Sequence, residues 1–391
     1  MPRYWTAALP VGVPLVLYGL FLGLASSPFF QRHFLYAHKI NTLWWTDTNR
    51  PQHWGFAKNQ VTPFSLATVD GESLYAWHVL PLPLYSKHEA ELVAQSSGLV
   101  ENIQQTLNFR LLREDPNARL VLFFHGNAGH VAQHIRPSFY HVLTDTSTYH
   151  ILAVDYRGFG HSSGSPTEEG LILDASATVD WAVHVAGVSP DRIVLLGHSL
   201  GTAVVSAVAE RYAHTGIDFA GVVLAAAFSS LPTMLSGYAI AGYLPILRPL
   251  AAFPELLTRV LGFVVDDWDS AARLTRLVRA VKARNGRLNL SLVHARNDWD
   301  IPYHEDDKLF AAAVGGFLAE SQVTDAENFA SQKEEKTLRL GDDAFVSSWS
   351  HGGIEIRQEL FPYGGHNDVL MYAPVSLAII RSFGLDGTAE A

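Results

Sequence analysis

The chain has no cysteine in its 391 residues, so disulfides, thiolate metal sites and a cysteine nucleophile are excluded. It is poor in charge: 17% of residues are Asp, Glu, Lys or Arg, against 48% hydrophobic. That balance excludes long disorder and leaves enough apolar surface for a sizeable core. No Lys/Arg cluster is present and the net charge is −10, which excludes nucleic acid as a partner. No P-loop or H-E-x-x-H occurs. Gly158-Phe159-Gly160-His161-Ser162-Ser163-Gly164 misses the dinucleotide fingerprint because its last glycine lies one residue too far. No metal or cofactor is expected, and oligomeric state is not readable.

Charge is missing altogether from Tyr4 to Gln31, and residues 7–25 are almost wholly apolar. About 20 such residues cross a bilayer as a helix, and membrane helices tolerate prolines such as Pro10 and Pro14. Residues 1–31 therefore read as a single-pass membrane anchor. A cleaved signal peptide is the alternative, since Gly23-Leu24-Ala25 has the small-x-small form, although the apolar run exceeds a usual h-region. Arg3 on one side and Arg32 and Lys39 on the other leave orientation open. Residues 32–60 read as a juxtamembrane connector and 385–391 as a tail.

What is there, over 61–384, is alternation. β-rich runs are expected at 63–69 and 73–80 (a hairpin around Asp70-Gly71), apolar strand-length runs at 120–124, 149–154, 192–196, 219–225 and 288–293, and a last strand at 354–361. Helical patterns fall between them, at 87–109, 168–185 and 202–213, with a closing helix at 374–383. Eight strands, mostly parallel and buried on both faces by helices, make an α/β fold. Two stretches break the alternation. Residues 231–265 read as a lid of short apolar helices, and 319–350 as a polar surface insertion.

Gly197-His198-Ser199-Leu200-Gly201 stands between a buried strand and a small-residue helix, the context of a nucleophile elbow. A serine hydroxyl needs a base and a group orienting that base. Asp298 follows the 288–293 strand and His366 follows the 354–361 strand, so both are expected at the sheet end that carries Ser199. Asp300 is the rival acid; Asp298 is preferred because it follows the strand directly. His198 and His125 read as packing residues of the elbow and of a loop, His125-Gly126-Asn127-Ala128-Gly129. That loop and the residue after the serine are expected to supply oxyanion donors, the amides of Asn127 (to within one residue) and Leu200.

These motifs, with Asp155-Tyr156-Arg157-Gly158-Phe159-Gly160 and Gly365-His366-Asn367, resemble the successive landmarks of the α/β-hydrolase superfamily. Within it they are most similar to the membrane-anchored branch typified by α/β-hydrolase domain-containing protein twelve. The resemblance implies an α/β-hydrolase fold and a serine lipase. It implies lysophospholipids or monoacylglycerols as substrates, and a place at the endoplasmic reticulum membrane. A serine peptidase of the same fold and a non-catalytic membrane-tethered scaffold are the other readings.

Overall fold

The computed structural model describes residues 4–237, 239–240, 244–317, 326–341 and 343–384. β1 (Val61–Ala67) and β2 (Ser73–Val79) pair antiparallel across a turn at Asp70-Gly71, where Gly71 takes a positive φ of 90°. β3 (Arg119–Phe124), β4 (Tyr149–Val154), β5 (Ile193–His198) and β6 (Gly221–Ala225) follow. The short β7 (Ala239–Ile240) and β8 (Leu244–Pro245) form a separate two-stranded ribbon. β9 (Leu288–Ala295), β10 (Thr337–Gly341), β11 (Ala344–His351) and β12 (Ile354–Phe361) complete the set.

Ten strands form one sheet in the order β1-β2-β4-β3-β5-β6-β9-β12-β11-β10. The block β4-β3-β5-β6-β9-β12 is parallel throughout and both ends are antiparallel. Alternate residues of a strand feed opposite layers. In β3, Leu120, Leu122 and Phe124 join one core, whereas Val121 and Phe123 join the other. Helices Glu168–Asp180, Leu200–His214 and Ser270–Ala283 cover the first face, and Arg136–Thr146 and Ala373–Gly384 the second. Every residue of β4, β5, β6 and β9 is buried, as a sheet covered on both faces requires.

Two expectations about the folded domain are corrected. The eight expected strands all form, but the 319–350 segment adds β10 and β11, so the sheet has ten. Residues 319–325 of that segment lie outside the described residues, as does the 385–391 tail. The continuous helix expected over 87–109 is instead a series of short turns, Leu82–Lys87, Glu89–Ala94, Ile103–Gln105 and Leu107–Arg113. Asn102 and Thr106 restart the chain there by accepting the Gln104 and Phe109 amides.

The apolar N-terminus forms a helix, Tyr4–Ala25, but the chain then breaks at Ser26-Ser27 and a second helix, Pro28–Tyr36, begins with proline in its first turn. Among the described residues no single helix is long and apolar enough to cross a membrane. Val13–Ala25 and Pro28–Tyr36 meet that measure only as a pair bent by 97°. Within residues 32–60, Tyr36 is almost wholly buried and its hydroxyl donates to Asp266 at 2.7 Å.

Candidate active site

β5 runs into the elbow and the helix Leu200–His214 leaves it. Between them Ser199 adopts φ 54° and ψ −121°, a backbone conformation that a serine adopts only when its surroundings enforce it. The two glycines explain how the turn closes. A Cβ on Gly197 would sit 2.4 Å from the Gly201 carbonyl oxygen, and one on Gly201 would sit 1.9 Å from that of Phe124. The Ser199 amide donates to the Ala225 carbonyl of the neighbouring strand at 3.0 Å, fixing the elbow to the sheet.

The loops after β9 and β12 bring two side chains to this serine. The Ser199 hydroxyl lies 2.9 Å from His366 Nε2, and His366 Nδ1 donates to Asp298 Oδ2 at 2.8 Å. Asp298 Oδ1 accepts the amides of Asp300 and Ile301 at 2.9 and 2.8 Å, so its carboxylate cannot swing. Burial alone would raise the Asp298 pKa, but hydrogen bonds from His294 and His366 hold it well below the carboxylate range. His198 Nε2 donates to the His366 carbonyl at 2.8 Å and positions that loop from beneath. Its burial pushes the imidazole down to about 3, so it stays neutral. Asp298, Asp300 and His366 are close enough to suggest a cation site. Yet both oxygens of Asp298 and both ring nitrogens of His366 already serve one another, backbone amides or the serine.

The loop after β3 packs against the elbow. The buried Arg136 guanidinium donates to the carbonyls of Gly126, Asn127 and Ala128 at 3.1, 3.2 and 2.9 Å, and to that of His130 at 2.6 Å. In a trans peptide the N–H points opposite the carbonyl. Gathering the Gly126 carbonyl onto Arg136 therefore aims the Asn127 amide away from the guanidinium. The amides of Ala128 and Gly129 donate to the carbonyls of Tyr36 and Ile40 at 2.9 and 2.8 Å. Among the described residues the Asn127 amide has no such partner. Leu200, as the first helical residue, has no acceptor within its own helix. Neither Arg136 nor the 28–40 segment was legible as part of this site in the sequence, because their contacts run through backbone carbonyls that carry no side-chain signature.

Two cavities meet at Ser199 and His366. One, of about 160 Å³, is walled by Phe34, Leu35, Phe228, Leu231, Met234 and Leu235. The other, of about 190 Å³, is polar, with Gln133, His134, Asp300 and Asn367 on its walls.

This architecture, with a serine on a strained strand-to-helix elbow at the parallel sheet's C-terminal edge, is the α/β-hydrolase fold. The family model described as the alpha/beta hydrolase fold matches residues 119–260. In sequence the chain is similar to the ABHD12 branch. It is 30% identical over 206 residues to human Protein ABHD12B, covering 52% of each chain. It is 27% identical over 293 residues to the lysophosphatidylserine lipase ABHD12 of Xenopus tropicalis, covering 73% of this chain and 66% of that one. The chain thus spans about half to two thirds of these relatives' length. Among solved structures, an alpha-beta hydrolase from Vibrio vulnificus shares the fold, with a TM-score of 0.55 at 16% identity over 91% of this chain and 94% of that one.

Proposed function

We propose that the protein is a serine hydrolase that cleaves the ester of a single-chain glycerolipid, a lysophospholipid or a monoacylglycerol. Ser199 Oγ attacks the ester carbonyl while His366 Nε2 takes its proton, and the Asn127 and Leu200 amides hold the oxyanion. Collapse of the tetrahedral intermediate breaks the ester C–O bond, and His366 returns the proton to the leaving glycerol oxygen. Water, deprotonated by the same imidazole, then releases the fatty acid. Asp298 keeps the Nδ1–H tautomer and stabilises the imidazolium.

The observation that carries this reading is the continuous chain Asp298–His366–Ser199 at the junction of an apolar and a polar cavity. An acyl chain fits against Phe34, Leu231, Met234 and Leu235, and a glycerol head group fits the polar side. The relatives titled lysophosphatidylserine lipase favour a lysophospholipid. The apolar N-terminal helix and the exposed Phe253, Leu256 and Phe263 of the 231–265 segment favour work at a bilayer. A single-pass anchor rests on the uncharged apolar run near the N-terminus, and its place in the endoplasmic reticulum on the family resemblance.

The test is a side-by-side assay of the purified full chain on lysophospholipids, monoacylglycerol and aminoacyl amides. Fatty-acid release from the lipids, abolished in Ser199→Ala, is expected. Turnover of the amides alone would replace this reading with a peptidase, and turnover of none would leave a binding scaffold.

A further inference from the structure

The Asp298 carboxylate serves a second imidazole besides His366. His294, on β9 and almost wholly buried, places Nε2 3.2 Å from Asp298 Oδ2, the same oxygen that accepts from His366. The other edge of the His294 ring places Nδ1 3.0 Å from Oδ1 of Asp306, equally buried in the helix His304–Gly315. Nε2 also lies 3.0 Å from the Ile301 carbonyl. A carbonyl can only accept, so Nε2 carries a hydrogen. On the opposite edge, a bare Nδ1 facing an ionised carboxylate would set two lone pairs against each other. A further proton must therefore lie between His294 and Asp306. Among the described residues, neither oxygen of Asp306 and not His294 Nδ1 has any other polar partner, so this 3.0 Å ion-pair contact is what offsets a charge on either group.

We propose that His294 is a positioning residue of the triad: a cationic imidazole, held by Asp306, that shares the Asp298 carboxylate with His366 and sets the lower pH limit at which His366 acts as a base. Burial opposes charge on His294, but Asp306 and Asp298 outweigh it and raise the ring to about 10. Burial likewise raises Asp306, partly offset by His294. Of the neighbouring charges on the same helix, Asp307 is paired with Lys333 and Glu305 with Lys308. His366, the remaining titratable group, faces His294 only across Asp298. A positive charge on the far side of the shared carboxylate disfavours a second one on His366. The inference rests on the triad reading above for its consequence, but the charge on His294 does not.

The experiment therefore has two arms, both on the full chain. In the first, kcat/KM on a soluble p-nitrophenyl ester is followed from pH 5 to 9 for wild type, Asp306→Asn and His294→Gln, with Tm measured for each. The acid limb should move upward by roughly half to one pH unit in each folded variant, a shift that lost packing alone would not produce. An unmoved limb in folded variants overturns the proposal. In the second, nitrogen-15 spectra of histidine-labelled wild type read the His294 ring directly, whether or not the variants fold or turnover is seen. Two protonated ring nitrogens between pH 6 and 8 support the proposal. A bare Nδ1 at pH 7 overturns it. If the ring is doubly protonated yet no ester is cleaved, it is the hydrolase reading that fails and not the charge assignment.

Discussion

On one side of Ser199 the cleft is walled by strand-end loops in which nearly every polar group has a fixed partner: Asp298 on His366 and two amides, His198 on the His366 carbonyl, Arg136 on four carbonyls. On the other side stand the short helices Pro28–Tyr36 and Leu231–Gly237, which present Phe34, Leu35, Met234 and Leu235 and are tied down at few points. Gln31 bridges the Phe263 carbonyl and the Val265 amide, and Phe34 remains 55% exposed. Hydrogen bonds fix direction to within tenths of an ångström, whereas apolar contact fixes little beyond size. The first wall can therefore hold a reaction geometry and the second can select a chain length.

Four substitutions or conditions sharpen that contrast. The largest effect belongs to the polar wall. Asp298→Asn keeps the shape but loses the tautomer control, and kcat should fall about 10⁴-fold. Asp300→Asn, whose side chain only borders the cavities, should stay within a few fold of wild type in the same assay. Next, Arg136→Lys cannot span four carbonyls with one ammonium. It should lower kcat about a hundredfold with KM nearly unchanged, the size of losing one oxyanion donor.

Third comes pH, and it acts on stability. His78, His125, His150 and His198 are buried neutral, each pushed down by burial. Their folded pKa values lie below an unfolded value near 6.5, so the stability they permit is full above that pH and lost as pH falls. His294 has the opposite sign: raised to about 10, it stabilises fully below about 6.5 and loses that contribution as pH rises through 10. These five histidines together contribute a loss of roughly 2 kcal/mol from pH 7 to 6, to be followed by urea titration at each pH. The smallest effect is on the apolar wall. Phe34→Trp should lower hydrolysis of sixteen-carbon esters about tenfold, the ordinary scale of misfit in an apolar pocket. Butyrate esters should be spared, and Phe34→Ala should broaden the chain-length profile.

The same contrast governs what the sequence discloses. Ser199, Asp298 and His366 can be placed at one sheet end from the sequence because each follows a strand, and the ends of parallel strands converge by topology. β3 to β6 are near-continuous apolar runs because both their faces are buried, whereas β9 (Leu-Asn-Leu-Ser-Leu-Val-His-Ala) and β12 (Ile-Glu-Ile-Arg-Gln-Glu-Leu-Phe) interleave polar residues. β10 and β11 carry no apolar run in the sequence: Thr337-Leu338-Arg339-Leu340 alternates polar with apolar residues and Ser347-Ser348-Trp349-Ser350 is mostly polar, as suits the antiparallel end of a sheet. The 87–109 region has helical composition, but Gly98 at φ 104° and the capping Asn102 and Thr106 interrupt it. The role of residues 34–40 could not be read at all. It lies in the carbonyls of Tyr36 and Ile40 and in the packing of Leu35, contacts made across about 90 residues of chain.

Covalent labelling of the folded full-length chain by an alkyl fluorophosphonate, followed by mass spectrometry of the peptide adduct, tests the central claim most directly. The account predicts a single adduct on Ser199, lost on unfolding and in His366→Ala. Folded protein that remains unlabelled, or that carries its adduct on a different serine, would contradict it.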